Sequence, residues 1–148
     1  QETPDTQTVC FEFEGDRQIT WEGRSCNKHG SGFATFYGDG GTLELGKHGE
    51  HQIYDLQEKK IEEAPGKSRG DTEHFTNFLN AIRGDQPLNL NAEIADGHQS
   101  TLLCHLGNIA HRTGRALNCA PQNGHPLGDP EAMALWSREY EPAWEPVV

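Results

Sequence analysis

The stretch "EIADGHQSTLLCHLGNIAHRTGRAL", residues 93–117, decides the fold because its apolar residues repeat with the period of a helix. Those on one helical face are Leu102, Leu103, Leu106, Ile109 and Ala110. Gly114 is a suitable residue to end the helix, since glycine accepts the left-handed backbone of a C-cap. The stretch predicts a long helix with one packed face.

Three histidines lie on this helix, and their spacing argues against a shared metal. His98 and His105 fall on nearly the same flank, but seven residues separate them by roughly 10 Å along the axis. His111 points away from both. Zinc binds imidazole nitrogen at about 2.0–2.1 Å, so one ion cannot reach all three. We predict boundary histidines at the rim of the packed face.

The first half of the chain has the pattern of β-strands. "TVCFEF" (residues 8–13) alternates, and "QITWEG" (18–23) follows a turn, as in a hairpin. "FATFY" and "TLEL" flank the turn 38–41, which is rich in glycine, and "HQIYDLQ" and "KIEEA" form another pair. Five or six antiparallel strands are expected.

A second amphipathic helix is predicted at residues 71–83, with Asp71 as N-cap, Gly84 beyond its end and Pro87 as a stop. Its apolar residues share one face: Phe75, Phe78, Leu79 and Ile82. Because one core suffices for 148 residues, a single sheet-plus-helices domain over residues 1–148 is expected.

The end of the chain should contain a strand, a short helix and a tail. "ALNCA" (residues 116–120) is the predicted strand, and Asp129 with Pro130 suits the start of a helix. Trp136, Tyr140 and Trp144 then recur in an aromatic strap at about 130–148, which prolines keep from being a continuous helix.

Composition excludes several classes of function. The net charge is −11, which repels nucleic-acid phosphates and anionic lipid. No stretch approaches the roughly 20 apolar residues of a membrane span. The four cysteines allow two disulfides, although isolated core thiols are the better interpretation.

Motifs for autonomous chemistry are few. The sequence contains no P-loop and no G-x-G-x-x-G after a strand. "HGEH" offers His48 and His51 as two metal ligands, with a third from His125 or Glu50, although solvated turn residues are the common alternative. A small secreted metal- or glycan-binding domain that uses this turn is therefore the alternative hypothesis.

Several pieces in order resemble the C-terminal domain of the Gfo/Idh/MocA oxidoreductases. They are "FATFYGDGGTLEL", "HFTNFLNAIRGDQPLN" and the opening stretch, and the ending "EAMALWSREYEPAWEPVV" is similar to a bacterial subgroup. The resemblance implies an α+β fold, an open and mainly antiparallel β-sheet with helices on one face. It also implies a sugar or polyol substrate and subunit contacts through the uncovered sheet face.

In that family the nicotinamide, NAD or NADP, binds a separate N-terminal Rossmann domain. The corresponding fingerprint, the E-K-P lysine and the Asp-x-x-x-His pair have no counterpart here, so we expect this chain to bind no cofactor and to be inactive alone. "QETPDT" resembles the middle of the family's second domain. A bacterial cytoplasmic and a periplasmic location are both left open.

Trp21 and Arg24 are the candidates for substrate contact. An indole can stack on a sugar ring, and a guanidinium can hold hydroxyls or a carboxylate. A core tryptophan and a surface arginine are the alternative. We also expect a homo-oligomer that forms through the sheet face that the helices leave uncovered. The strands are expected to place aromatic or aliphatic residues on one face, and Val9 and Thr35 on the other.

Overall fold

The computed structural model describes residues 4–27, 32–66, 70–84 and 90–144. The strands are β1 (Thr6–Phe13), β2 (Arg17–Arg24), β3 (Ala34–Gly38), β4 (Gly41–Leu45), β5 (His51–Tyr54) and β6 (Lys60–Ala64). The helices are α1 (Asp71–Arg83), α2 (Ile94–Thr113) and α3 (Pro130–Ala134). All strand pairs are antiparallel, which confirms the α+β class.

The chain divides into two compact units, which are described separately. The hairpin unit comprises Gln1–Cys26 and Ala92–Val148, and the sheet unit comprises Asn27–Asn91. The strands accordingly form two sheets, β1-β2 in the first unit and β3-β4-β5-β6 in the second. The expectation of one domain over residues 1–148 stays a prediction.

The β1–β2 hairpin has one half-buried face and one polar face. Gln7, Val9 and Phe11 are half-buried, while the residues between them are exposed. Val9 pairs with Trp21, so the two side chains project from the same face. The prediction that Val9 lies opposite the aromatic residues was wrong, because Val9 and Phe11 are two positions apart and a strand alternates with period two.

Helix α2 packs on this hairpin through Gly107, which is buried. A Cβ at Gly107 would stand 3.2 Å from Cγ2 of Val9, and the Gln7 side-chain amide donates to the Gly107 carbonyl at 3.2 Å. Ile109, two residues further along α2, is also buried and is 5% exposed. Gly114 ends the helix with φ 67°, as the sequence predicts.

The sheet unit also has two distinct faces. Phe36, Leu43 and Ile53 lie side by side on one face. Thr35 and Glu44 begin a polar row on the other. The turn between β3 and β4 lies between Gly38 and Gly41, as predicted, and Gly41 has φ 146°.

Helix α1 spans the predicted residues but begins differently. Gly70, at φ 76°, is its N-cap, and Asp71 is the first helical residue, so the assignment of Asp71 as cap was wrong. A left-handed cap favours glycine, which has no Cβ to clash. All four apolar side chains of the predicted face are exposed, Phe75 by 64%. Pro87 lies outside the described residues.

Beyond α2 the chain folds back with less strand than predicted. Residues 116–120 form no strand, since only one bridge joins Cys119 to Pro126. Asp129 caps α3 by accepting a hydrogen bond from the Ala132 amide at 3.0 Å, which confirms that start. Ala132 is fully buried. Residues 145–148 of the predicted strap lie outside the described residues.

Arg115 connects the end of α2 to the start of α3. Its guanidinium donates to both carboxylate oxygens of Asp129 at 2.8 Å and to Glu131 at 2.7 Å. The bond from Arg115 lowers the pKa of the Asp129 carboxyl to about 2. The side-chain hydrogen bond to Asp129 raises the pKa of Arg115 in turn. These ion pairs of Arg115 with two carboxylates hold α3 in position.

Candidate functional site

A cavity of about 340 Å³ lies at the open end of the β1–β2 hairpin. Trp21 and Arg24, the predicted substrate residues, both line it, together with Asp5, Gln7 and Gly23. This volume is at the lower end of the range for small-molecule sites. The structure thus brings the two candidates together, although they are three positions apart on one strand.

Trp21 reaches the cavity because its indole lies across Gly23. A Cβ at Gly23 would overlap the indole ring, so a residue with a side chain at this position would displace it. Positions 21 and 23 project from the same face of a strand, which lets the ring turn toward the strand end. Trp21 is 51% exposed, so the alternative of a core tryptophan does not hold.

Arg24 is the last residue of β2 and is half-buried. Its Nε forms an ion pair with the Glu22 carboxylate, whose oxygen lies 3.1 Å away. Within the described part of the chain, its two terminal nitrogens have no hydrogen-bond partner. They retain donors that suit a hydroxyl or a carboxylate.

Asp5 is the cavity residue that sequence reasoning missed. Its carbonyl oxygen accepts hydrogen bonds from the Ser25 amide at 2.8 Å and the Ser25 hydroxyl at 3.0 Å. These bonds continue the hairpin beyond Thr6 and Arg24 and hold Asp5 at the cavity wall. Extending the register of the predicted hairpin by one pair would have found it.

The "HGEH" turn uses its polar groups internally. The Glu50 carboxylate accepts from the His48 amide at 2.8 Å, and backbone hydrogen bonds from Glu50 itself and from His48 lower its pKa. His51 Nε2 lies 3.3 Å from a Glu62 carboxylate oxygen. In residues 4–27, 32–66, 70–84 and 90–144, no three His, Cys, Asp or Glu residues converge as metal ligands.

Two of the three histidines of α2 line a second cavity. His98 and His105 border a groove of about 440 Å³ between α2 and the Leu135–Trp136 segment, and His111 does not. Both are exposed, and their place at the rim of the packed face stays a prediction. The four cysteines are free, and Cys119 is half-buried while the other three are exposed, so the core-thiol interpretation was wrong for three of them.

Antiparallel sheets and helices make up an α+β fold, with a small-molecule-sized cavity at the hairpin end. The sequence model of the oxidoreductase family's C-terminal alpha/beta domain matches residues 5–146. The chain therefore belongs to the Gfo/Idh/MocA oxidoreductase family, as its C-terminal domain. No curated protein and no solved structure matches it. None of its described helices has the length and apolarity needed to cross a membrane.

Proposed function

We propose that this chain is the substrate-side and oligomerisation domain of an NAD(P)-dependent oxidoreductase that acts on a sugar or polyol. The observation that carries the proposal is the cavity shared by Trp21 and Arg24 in a domain of this family. An exposed indole offers a flat apolar face to the carbon–hydrogen side of a sugar ring. The guanidinium and the Asp5 carboxylate together offer donors and acceptors for its hydroxyls.

The chain alone is proposed to be inactive. Hydride transfer requires a nicotinamide next to the substrate carbon, and the sequence contains no glycine-rich loop that could hold a pyrophosphate. Its contribution is to orient the substrate, which lowers the entropic part of the barrier. Trp21 and Arg24 are therefore proposed as binding residues only.

The alternative, a metal- or glycan-binding domain at the "HGEH" turn, has less support. Glu50 is engaged by backbone amides, and His51 faces Glu62. A metal there would need to displace both interactions. The proposed third ligand His125 packs against Trp136, with ring centroids 4.5 Å apart.

The test uses the product of the whole reading frame that encodes this chain. NAD+ and NADP+ reduction is measured with a panel of monosaccharides and polyols, and Trp21→Ala and Arg24→Gln are compared with the parent protein. We expect each variant to raise KM about tenfold, or about 1.4 kcal/mol of binding, with a smaller change in kcat.

Trp144→Ala is the matched control, because Trp144 is also exposed but does not line the cavity. It should leave KM unchanged. Absence of NAD(P)+ reduction with every compound would contradict the proposed activity. Equal KM values for Trp21→Ala and the parent would contradict the proposed site.

A further inference from the structure

The groove along α2 has an unusual lining for so acidic a chain. Its polar residues include His98, His105, Asn108 and Arg112, and Trp136 forms part of the opposite wall. In the part of the chain that the structure describes, none of the residues lining the groove is a carboxylate, although the chain has 23 Asp and Glu residues. These lining residues therefore present no negative charge to an anion in the groove.

Its polar groups are also unused by the protein. Among the described residues, the side chains of His98, His105, Asn108 and Arg112 make no hydrogen bond or ion pair. Arg115, one turn away, is by contrast fully paired with two carboxylates. Arg112 therefore retains a guanidinium fork that can hold a carboxylate by two parallel hydrogen bonds.

The spacing on α2 brings part of this set within reach of one small molecule. His105, Asn108 and Arg112 recur at three and four residues, so they follow one flank, with rises of about 4.5 and 6 Å between them. Helical side chains lean toward the N-terminus, which directs Arg112 back over the turn of Asn108. His98 lies about 10 Å further along the axis from His105 and contributes to the far end of the groove.

Trp136 completes the groove from the other side. His125 packs edge-on against its indole, with ring planes at 73°, and the Trp136 amide donates to the Met133 carbonyl at 3.1 Å. The ring is thus held on one side by His125 while it lines the groove. Because the indole is rigid, little side-chain entropy is lost when a ligand packs against it.

We propose that this groove binds a hydroxylated carboxylic acid of sugar-acid size. Arg112 holds the carboxylate, His105 and Asn108 hydrogen-bond hydroxyls, and the apolar side of the ligand lies on Trp136. The volume of about 440 Å³ is within the range of small-molecule sites. No described residue lines both the groove and the Trp21 cavity, so this proposal does not rest on the proposed function.

Heteronuclear NMR on the protein tests this, with glucuronate as the probe. Glucose tests the need for the carboxylate, and acetate and inorganic phosphate test simple anion binding. We expect glucuronate to shift the Trp136 indole signal and the amide signals of His105 and Asn108 in a saturable manner. Glucose, acetate and phosphate should each bind at least about tenfold more weakly.

Arg112→Gln should weaken glucuronate binding about tenfold, as expected when a charged two-bond contact is lost. His105→Ala, also at an exposed position, is the second variant, and the spread of amide signals reports whether each variant folds. Arg83→Gln is the matched control, since Arg83 also lies in the last turn of a helix and does not line the groove. Trp21→Ala should leave this binding intact.

Three results would overturn the proposal. The first is the absence of saturable shifts with glucuronate. The second is unchanged affinity in both Arg112→Gln and His105→Ala. The third is binding of acetate or phosphate as tight as that of glucuronate, which would mean an adventitious ion only. Because no nicotinamide is needed, these results are independent of the oxidoreductase assay.

Discussion

At the scale of single residues, Gly23 controls the candidate substrate cavity. The Trp21 indole occupies the space that a Cβ at position 23 would need. Because Trp21 is half-exposed, moving its ring leaves no cavity in the core. The residue at position 23 therefore determines where the ring lies and has little effect on the stability of the domain.

Gly23→Ala should therefore displace the Trp21 ring with little loss of thermal stability. The expected result is a changed indole signal for Trp21 and changed amide signals for Asp5 and Arg24 in NMR spectra. Gly40→Ala is the control, because a Cβ there meets nothing within 4 Å. An unchanged Trp21 signal in Gly23→Ala would show that the ring does not lie over this glycine.

A second residue-scale prediction concerns pH. The folded Asp129 carboxyl has a pKa of about 2, below its ordinary value of 3.8, because Arg115 stabilises the ionised form. A depressed pKa contributes stability above about pH 4, and that contribution is lost as the pH falls from about 4 to about 2. The free energy of unfolding, measured with urea at each pH, should therefore fall less across this range in Asp129→Asn than in the parent chain.

Asparagine retains the N-cap acceptor of α3, so Asp129→Asn isolates the charge. Asp39→Asn in the β3–β4 turn is the matched control and should leave the pH dependence as in the parent. If both variants have the same acid dependence as the parent chain, the Arg115–Asp129 pair contributes nothing to folding stability.

At the scale of elements, α2 carries two glycines in different surroundings. A Cβ at Gly97 would meet nothing within 4 Å, whereas one at Gly107 would stand 3.2 Å from Val9. Glycine in a helix costs about 1 kcal/mol relative to alanine, and overpacking costs typically about 1–3 kcal/mol. The same substitution should therefore have opposite effects at the two sites.

Gly97→Ala should stabilise the chain by about 0.5–1 kcal/mol in urea unfolding. Gly107→Ala should destabilise it by up to about 2 kcal/mol, since the close contact outweighs the helical gain. In a Val9→Ala background, where the close contact is relieved, Gly107→Ala should increase the free energy of unfolding. Equal gains at both positions in the parent chain would mean that α2 does not lie against β1 at Gly107.

The elements themselves were largely predictable because their signals are local. Alternation and three-to-four spacing predicted five or six strands and two long helices, and the structure has six strands and both helices in its described residues. Gly114 marked the end of α2 and Asp129 the start of α3 correctly. Two local predictions failed. Residues 116–120 have a strand-like composition, but only a single bridge forms, and Gly70 replaced Asp71 as cap.

The cavities depended on long-range register and were only partly predictable. Trp21 and Arg24 were found by residue type, but Asp5 reaches their cavity only through its pairing with Ser25. Similarly, the α2 groove exists because α3 returns the chain and presents Trp136 to the helix. No periodicity within the stretch 93–117 contains that information.

At the scale of the whole molecule, the sheet unit has an apolar face suited to association. Phe36 is 57% exposed beside Leu43 and Ile53, while the opposite face carries polar rows that include Glu44. Homodimers usually pair one apolar patch across a twofold axis. The charge of −11 opposes this, although salt at physiological strength screens beyond about 8 Å.

We therefore expect the chain to self-associate through the Phe36 face. Sedimentation equilibrium over a range of concentrations should give a mass well above the 16.4 kDa monomer. Phe36→Glu should shift the equilibrium to monomer, and Tyr37→Glu, on the adjacent position of the opposite face, should not. A monomer mass at every concentration and salt would show that this face does not mediate association.

The contact between Gln7 and Gly107 has a consequence for synthesis on the ribosome. One hundred residues separate these partners, and the whole sheet unit lies between them in the chain. At roughly 5–20 residues per second, the β1–β2 hairpin emerges about 5–20 s before the helix that covers it. An isolated two-stranded hairpin is marginally stable at best, so it spends that interval unsupported. The β1–β2 segment would then be exposed to chaperones and proteases until α2 leaves the exit tunnel.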